Sequence, residues 1–205
     1  MKDLVVLVAD KDTEYALKGI LGRSASLRIR ADLQWDVFVH PRRDPGCLNE
    51  AHSFLQPYAS AYRYAMVIFD HEGCGRDQEP ATEIANEVRQ RLEIHGWAGR
   101  AEAIVIAPEL EVWVWTHSPH VAACLGWGAA RPALRDWLQQ QGHWPGECAK
   151  PPHPKEAMAA VLHEVRKPRS SAIYLALAEK VSLVGHQEPA FLRLAQALQR
   201  WFAGA

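Results

Sequence analysis

The chain has no long apolar run. Its longest stretches, such as Leu4 to Ala9, fall far short of the roughly 20 residues that a membrane-spanning helix needs. No basic, then apolar, then small-residue leader is visible, since Met1-Lys2-Asp3 runs straight into a strand-like segment; the expectation is a cytoplasmic protein without a membrane partner. Net charge is also scarce. The 24 acidic and 23 basic side chains leave a formal charge of −1, which excludes a strongly basic DNA-coating protein. Cysteine is sparse and wrongly spaced for metal: Cys47, Cys74, Cys124 and Cys148 form no C-x-x-C. In 205 residues that are 48% hydrophobic, the core needs no disulfide framework, and buried thiols are expected. No P-loop, G-x-S-x-G or G-x-G-x-x-G occurs, so an autonomous NTPase, an α/β-hydrolase and a Rossmann oxidoreductase have no motif to stand on.

What is present is an alternation of strands and helices. Leu4 to Ala9 is a continuous aliphatic run, the pattern of a strand covered on both faces, and Asp12 or Thr13 can cap a helix from Glu14 to Leu21. Gln34 to His40 reads as a second strand, followed by a polar loop through Arg42 to Gly46 and a helix from Asn49 to about Ser60. Tyr64 to Phe69 is a third strand stopping at Asp70, Pro80 opens a helix carrying Ile84, Val88 and Leu92, and Ala103 to Ala107 is a fourth strand. Beyond Pro108 the segments read as helical: Glu109 to His117 (with Glu111 to Trp115 as an alternative strand), Pro119 to Leu125, Pro132 to Gln141, Pro154 to Val165, Ser171 to Lys180 and Glu188 to Phe202. The expected fold is α/β, one domain over residues 1–205. A mainly parallel four-stranded sheet flanked by helices occupies 1–108, and a helical C-terminal part, 109–205, packs on it.

In an open parallel sheet chemistry gathers beyond the carboxyl ends of the strands. Strand one ends at Asp10, with Asp12 and Glu14 close behind; strand three ends at Asp70-His71-Glu72; strand four is followed by Glu109 and Glu111. Converging carboxylates repel unless protons or cations neutralise them, and Mg²⁺ favours oxygen ligands, so a divalent-metal site follows. Taken singly, Asp12 reads more readily as a helix cap, Asp70 as a strand-ending acid and Glu109 as a first-turn acid facing a helix dipole; it is their recurrence at three strand ends that brings the metal reading level.

These same residues resemble the TOPRIM superfamily, and more narrowly the TOPRIM-like proteins of the RloB type and their relatives found with bacterial restriction and phage-defence genes. The matching elements are Asp10-Lys11-Asp12-Thr13-Glu14 running into Leu17 to Leu21, Asp70-His71-Glu72-Gly73, Pro108-Glu109-Leu110-Glu111-Val112-Trp113, Pro154-Lys155-Glu156 and Glu188-Pro189-Ala190-Phe191. The family's first acid is a Glu followed by Gly; here Asp10 and Lys11 stand there, and Lys11 supplies a fixed positive charge beside a shorter acid. The resemblance implies a Mg²⁺ (or Mn²⁺) site and a phage-defence component acting on nucleic acid phosphodiesters, or a degenerate site in a non-catalytic subunit.

Carboxylate-bound Mg²⁺ suits phosphodiester hydrolysis. On this reading Asp70, Glu72 and Glu111 ligate metal, while Asp10, Glu14 and Glu109 position water or move protons. DNA or RNA phosphates need cations, and Lys11, Arg42 and Arg43 are nearest; Arg23, Arg28, Arg30 and Arg166-Lys167-Pro168-Arg169 are further clusters, although such clusters are mostly solvated surface. Trp113, Trp115, Trp127, Trp137 and Trp144 either stack on bases or, more in keeping with their contexts, pack the core. His117 and His120 form a poor zinc pair because Pro119 lies between them. The competing reading is a non-catalytic interaction subunit that presents Trp35, Trp127, Trp137 and Trp201 to an ATPase or methyltransferase partner of a defence operon.

Overall fold

The computed structural model describes residues 1–116, 118–183 and 186–204. Strands β1 (Lys2–Val8), β2 (Trp35–Val39), β3 (Tyr62–Asp70) and β4 (Ala101–Ile106) alternate with helices α1 (Lys11–Leu21), α2 (Ser24–Leu27), α3 (Arg43–Leu55) and α4 (Ala81–Leu92). All strand pairs are parallel, in the order β2-β1-β3-β4. The fold is therefore α/β, a four-stranded all-parallel sheet flanked by helices. The chain leaves β1 for β2 on one side and returns to β3 on the other. The carboxyl ends of β1 and β3 consequently flank the point where the strand order reverses, which is where open α/β sheets bind their ligands.

The sheet is buried on both faces, which is why β1 is apolar at every position from Leu4 to Val8. Leu4, Val6 and Val8 share one core with Leu17 and Ile20 of α1, and with residues of α8 (Ser171–Lys180) and α9 (Pro189–Phe202). Val5, Leu7 and Ala9 share the other with Cys47 and Leu48 of α3 and Ile84 and Val88 of α4. Each fully buried Val or Leu is worth about 1.5–3 kcal/mol, so two cores on one sheet fix its register firmly. Among the described residues beyond Ile106 there is no further strand; α5 (His120–Leu125), α6 (Leu134–Gln140), α7 (Pro154–Glu164), α8 and α9 complete the chain. None of the described helices is long and apolar enough to cross a membrane.

Several expected boundaries move. The first helix starts at Lys11 rather than Glu14, because Asp10, not Asp12 or Thr13, is its cap: Asp10 is extended (φ −151°, ψ 179°), and its Oδ1 accepts the Thr13 N–H at 2.8 Å and the Thr13 hydroxyl at 2.9 Å. The polar loop expected after Pro41 is the first turn of α3. Gly46 makes this possible, since a Cβ there would lie 2.0 Å from Nδ1 of the buried His40. The helix, or alternatively the strand, expected over 109–117 is a short 3₁₀ turn, Leu110–Trp113; His117 lies outside the described residues, and with it the His117–His120 pair. Four tryptophans that could have faced nucleic acid, Trp113, Trp115, Trp127 and Trp144, are buried, and Trp201 stacks on Tyr64 at 4.6 Å. All four cysteines are free, three buried and Cys148 partly so.

Candidate active site at the strand ends

Three elements deliver carboxylates to the carboxyl edge of the sheet. Asp10 follows β1, Asp70 ends β3, and Glu109 and Glu111 bracket the start of the 3₁₀ turn after β4. A fourth contributor went unrecognised in the sequence: Asp44, in the first turn of α3, accepts the Asp70 backbone N–H at 2.9 Å. The signal was Asp44-Pro45, an acid ahead of a proline, which opens a helix as readily as it forms a loop.

Asp70 is the electrostatic centre of the group. Its Oδ1 is shut off from solvent and has no hydrogen-bond partner. Burial pushes its carboxyl well above the usual carboxylate range, and the charges of Asp44, Glu111, Asp10 and Glu109 add to that shift. Asp44 is raised as well, chiefly by burial. An isolated acid in such surroundings is held protonated or calls for a cation.

Glu109 and Glu111 have cations already. Both are buried, at 4% and 1% exposure, yet each is tied to the helical half of the chain. Glu109 accepts the Lys155 backbone N–H at 3.0 Å and the Lys155 ammonium at 3.1 Å. Glu111 accepts the Tyr174 hydroxyl at 2.5 Å and Arg169 Nη2 at 2.8 Å. Burial still leaves Glu111 raised, with Tyr174 and Arg169 opposing that shift. Burial alone would lower the Lys155 ammonium; its bond to Glu109 and the charges of Glu109, Glu111 and Asp70 together outweigh that and hold it above the ordinary lysine value. Arg169 also grips Asp12 Oδ2 through Nε at 3.2 Å and Nη2 at 3.0 Å, and the Ser171 hydroxyl donates to Asp12 Oδ1 at 2.6 Å.

The remaining candidates lie apart from this cluster. Glu14 is bound by Lys11 at 2.7 Å and Lys18 at 2.6 Å; burial raises its carboxyl, but these two bonds prevail and leave it below the usual range. Glu72 is exposed and does not figure among the acids whose charges chiefly raise Asp70; the Lys155 ammonium is also within electrostatic reach of that carboxyl. Arg42 pairs with Glu50, whereas the exposed Arg43 side chain has no ion pair or hydrogen bond. Above Asp10 an open cleft of about 550 Å³ is walled by Lys11, Asp12, Arg43, Lys155 and Arg169, among others.

Comparison with family models, with curated proteins and with solved structures returned no match. The site must therefore be judged on its chemistry. Among the described residues, no three His, Cys, Asp or Glu side chains converge closely enough to hold a metal as they stand. The donor set nevertheless suits a hard cation. Once Lys155 and Arg169 are assigned to Glu109 and Glu111, Asp10 and Asp44 remain as carboxylates hydrogen-bonded by uncharged N–H and O–H groups, and Asp70 as one with a buried, unpartnered oxygen.

Proposed function

We propose that the protein is a TOPRIM-like, Mg²⁺-dependent nuclease or phosphotransfer component of a bacterial antiviral defence system, acting on nucleic acid phosphodiesters. The observation that carries this reading is Asp70: a carboxylate at the strand-order reversal, with a buried unpartnered oxygen, set among four further acids. The order β2-β1-β3-β4 with acids after β1, β3 and β4 also supports the likeness drawn from the sequence. Asp70, Asp10 and Asp44 would hold the ion, which when bound supplies charge neutralisation for a phosphodiester and an acidified water.

The chain's own contribution is positional and electrostatic. The Thr13 bonds fix the Asp10 carboxylate at the tip of α1, so that oxygen is aimed before substrate arrives. Asp44 and Asp70 are locked together through the 2.9 Å bond, coupling α3 to β3. The raised carboxyl of Glu111, which is not among the groups that would hold the ion, can take up or release a proton at higher pH than an ordinary acid.

A second reading, a non-catalytic subunit with a degenerate site, is favoured by one fact: Lys155 and Arg169 already occupy the acids after β4. Titration of Mg²⁺ and Mn²⁺ into the wild type and the Asp10→Asn/Asp70→Asn variant, followed by calorimetry and by cleavage of DNA and RNA in the presence of operon partners, separates the two. The nuclease reading expects metal binding and cleavage by the wild type only. Identical null behaviour of both proteins discards it.

A further inference from the structure

The cleft above Asp10 is more basic than its position over an acidic cluster suggests. Four cationic side chains line it, Lys11, Arg43, Lys155 and Arg169, against two carboxylates, Asp10 and Asp12. The other acids, Asp44, Asp70, Glu109 and Glu111, do not form its wall. Lys11, Lys155 and Arg169 share their charges with Glu14, Glu109, Asp12 and Glu111, so a molecule entering the cleft meets one uncompensated cation, Arg43, beside the outward-facing donors of the other three.

The cations also have donors to spare. Arg169 spends its Nε and Nη2 on Asp12 and Glu111, and its Nη1 has no partner. The guanidinium is thus pinned along one edge while the side chain stays 40% exposed. The Lys155 ammonium makes one side-chain bond, to Glu109, out of three possible, and is half exposed. Arg43 has all five donors free. It also adopts a left-handed backbone (φ 48°), a conformation that strains a non-glycine residue and is found where a site requires it.

We infer that this cleft is a phosphate-binding subsite, in which Arg43, Lys155 and Arg169, with Lys11 at the rim, hold the sugar–phosphate backbone of a nucleic acid strand. The assignment rests on the proposed nuclease reading for the identity of the polyanion, and on the cleft alone for its charge. Two of its cations, Lys155 and Arg169, come from the helical half of the chain. That half then takes part in recognition as well as in packing. The pinned edge of Arg169 presets its orientation, so little side-chain entropy is lost on binding.

The test measures binding without catalysis. Anisotropy of labelled DNA and RNA oligonucleotides is followed in EDTA over a range of KCl concentrations, with inorganic phosphate and pyrophosphate as competitors. The variants are Arg43→Gly, Lys155→Met and, at the opposite end of the sheet, Arg63→Gly. Arg43→Gly relieves the strained backbone, so its thermal midpoint should hold or rise while affinity falls several-fold and the salt slope drops by about one. Lys155→Met should behave similarly in binding, and Arg63→Gly should leave binding unchanged. Competition by free phosphate at low concentration, with no selectivity for the oligonucleotide, would assign the subsite to phosphate anions rather than to a strand, and would overturn the strand assignment. Equal binding by wild type and Arg43→Gly, or no salt-dependent binding at all, overturns the subsite. Loss of binding in Arg43→Gly without cleavage by the wild type removes the nuclease reading and leaves the subsite standing; cleavage with unchanged binding does the reverse.

Discussion

Glu102 near the start of β4 and Asp70 at the end of β3 are carboxylates of one parallel sheet, and the protein surrounds them in opposite ways. Glu102, 6% exposed, receives Arg193 Nε at 3.0 Å and Nη2 at 2.7 Å, Arg200 at 3.1 Å and the Ala103 N–H at 3.2 Å. Two arginines of α9 thereby clamp that helix to the edge strand. Asp70 has no arginine or lysine in contact and four acids as electrostatic neighbours, and one of its oxygens is unpartnered. A buried acid that is fully paired is a fastening, and one left unpaired among its own kind destabilises the fold that contains it. Proteins keep the second kind where a ligand completes it.

The largest expected effect tests the fastening. Glu102→Ala strands Arg193 and Arg200, both still reached by solvent, and should cost about 2–3 kcal/mol, a fall of roughly 5–10 °C in thermal midpoint by calorimetry. Asp70→Asn should move the other way, raising the thermal midpoint at pH 7.5 in metal-free buffer. The sign follows from linkage: a folded-state value raised above the unfolded one means the native state loses stability as pH rises through the ordinary carboxylate range toward the raised value. The advantage of Asp70→Asn should therefore vanish near pH 4 and grow toward neutrality. An Asp70→Asn variant less stable than wild type at every pH would erase the contrast with Glu102. The smallest effect concerns the intermediate case, Glu111, which is partly paired. Tyr174→Phe removes its 2.5 Å bond and should cost about 1 kcal/mol in urea unfolding, since Arg169 remains.

The four strands, their alternation with helices in a parallel sheet and the acids at their ends could be read from hydrophobic runs and their terminating charges, because a strand buried on both faces leaves no ambiguity of period; the order of the strands in the sheet could not. Helix α8 falls where Ser170-Ser171 and Lys180 suggest. Residues 43–48 were misread because Pro45-Gly46 is turn chemistry in isolation; in the fold, Pro45 occupies a first helical turn and Gly46 clears His40. The segment after Pro108 reads as a longer helix because Leu110, Trp113 and Val114 stand at helical spacing behind Glu109, whereas in the fold long-range pairs to Lys155, Arg169 and Tyr174 bury Glu109 and Glu111 and a single 3₁₀ turn suffices. Local pattern carries no information about partners 46 to 63 residues away. The same limit hid the roles of Lys155 and Arg169.

Gly19 of α1 lies so close to α8 that a Cβ there would meet Ala178 Cβ at 2.6 Å, and the Asp12 contacts to Arg169 and Ser171 span 157 and 159 residues. On the ribosome, at roughly 5–20 residues per second, the acids of the first strand end emerge on the order of ten seconds before the cations that hold them. A nascent chain therefore carries an unfinished, self-repelling edge, and the cleft above Asp10 assumes its final charge only late in synthesis. A product truncated ahead of Lys155 would keep the acids of the edge without the cations that complete it.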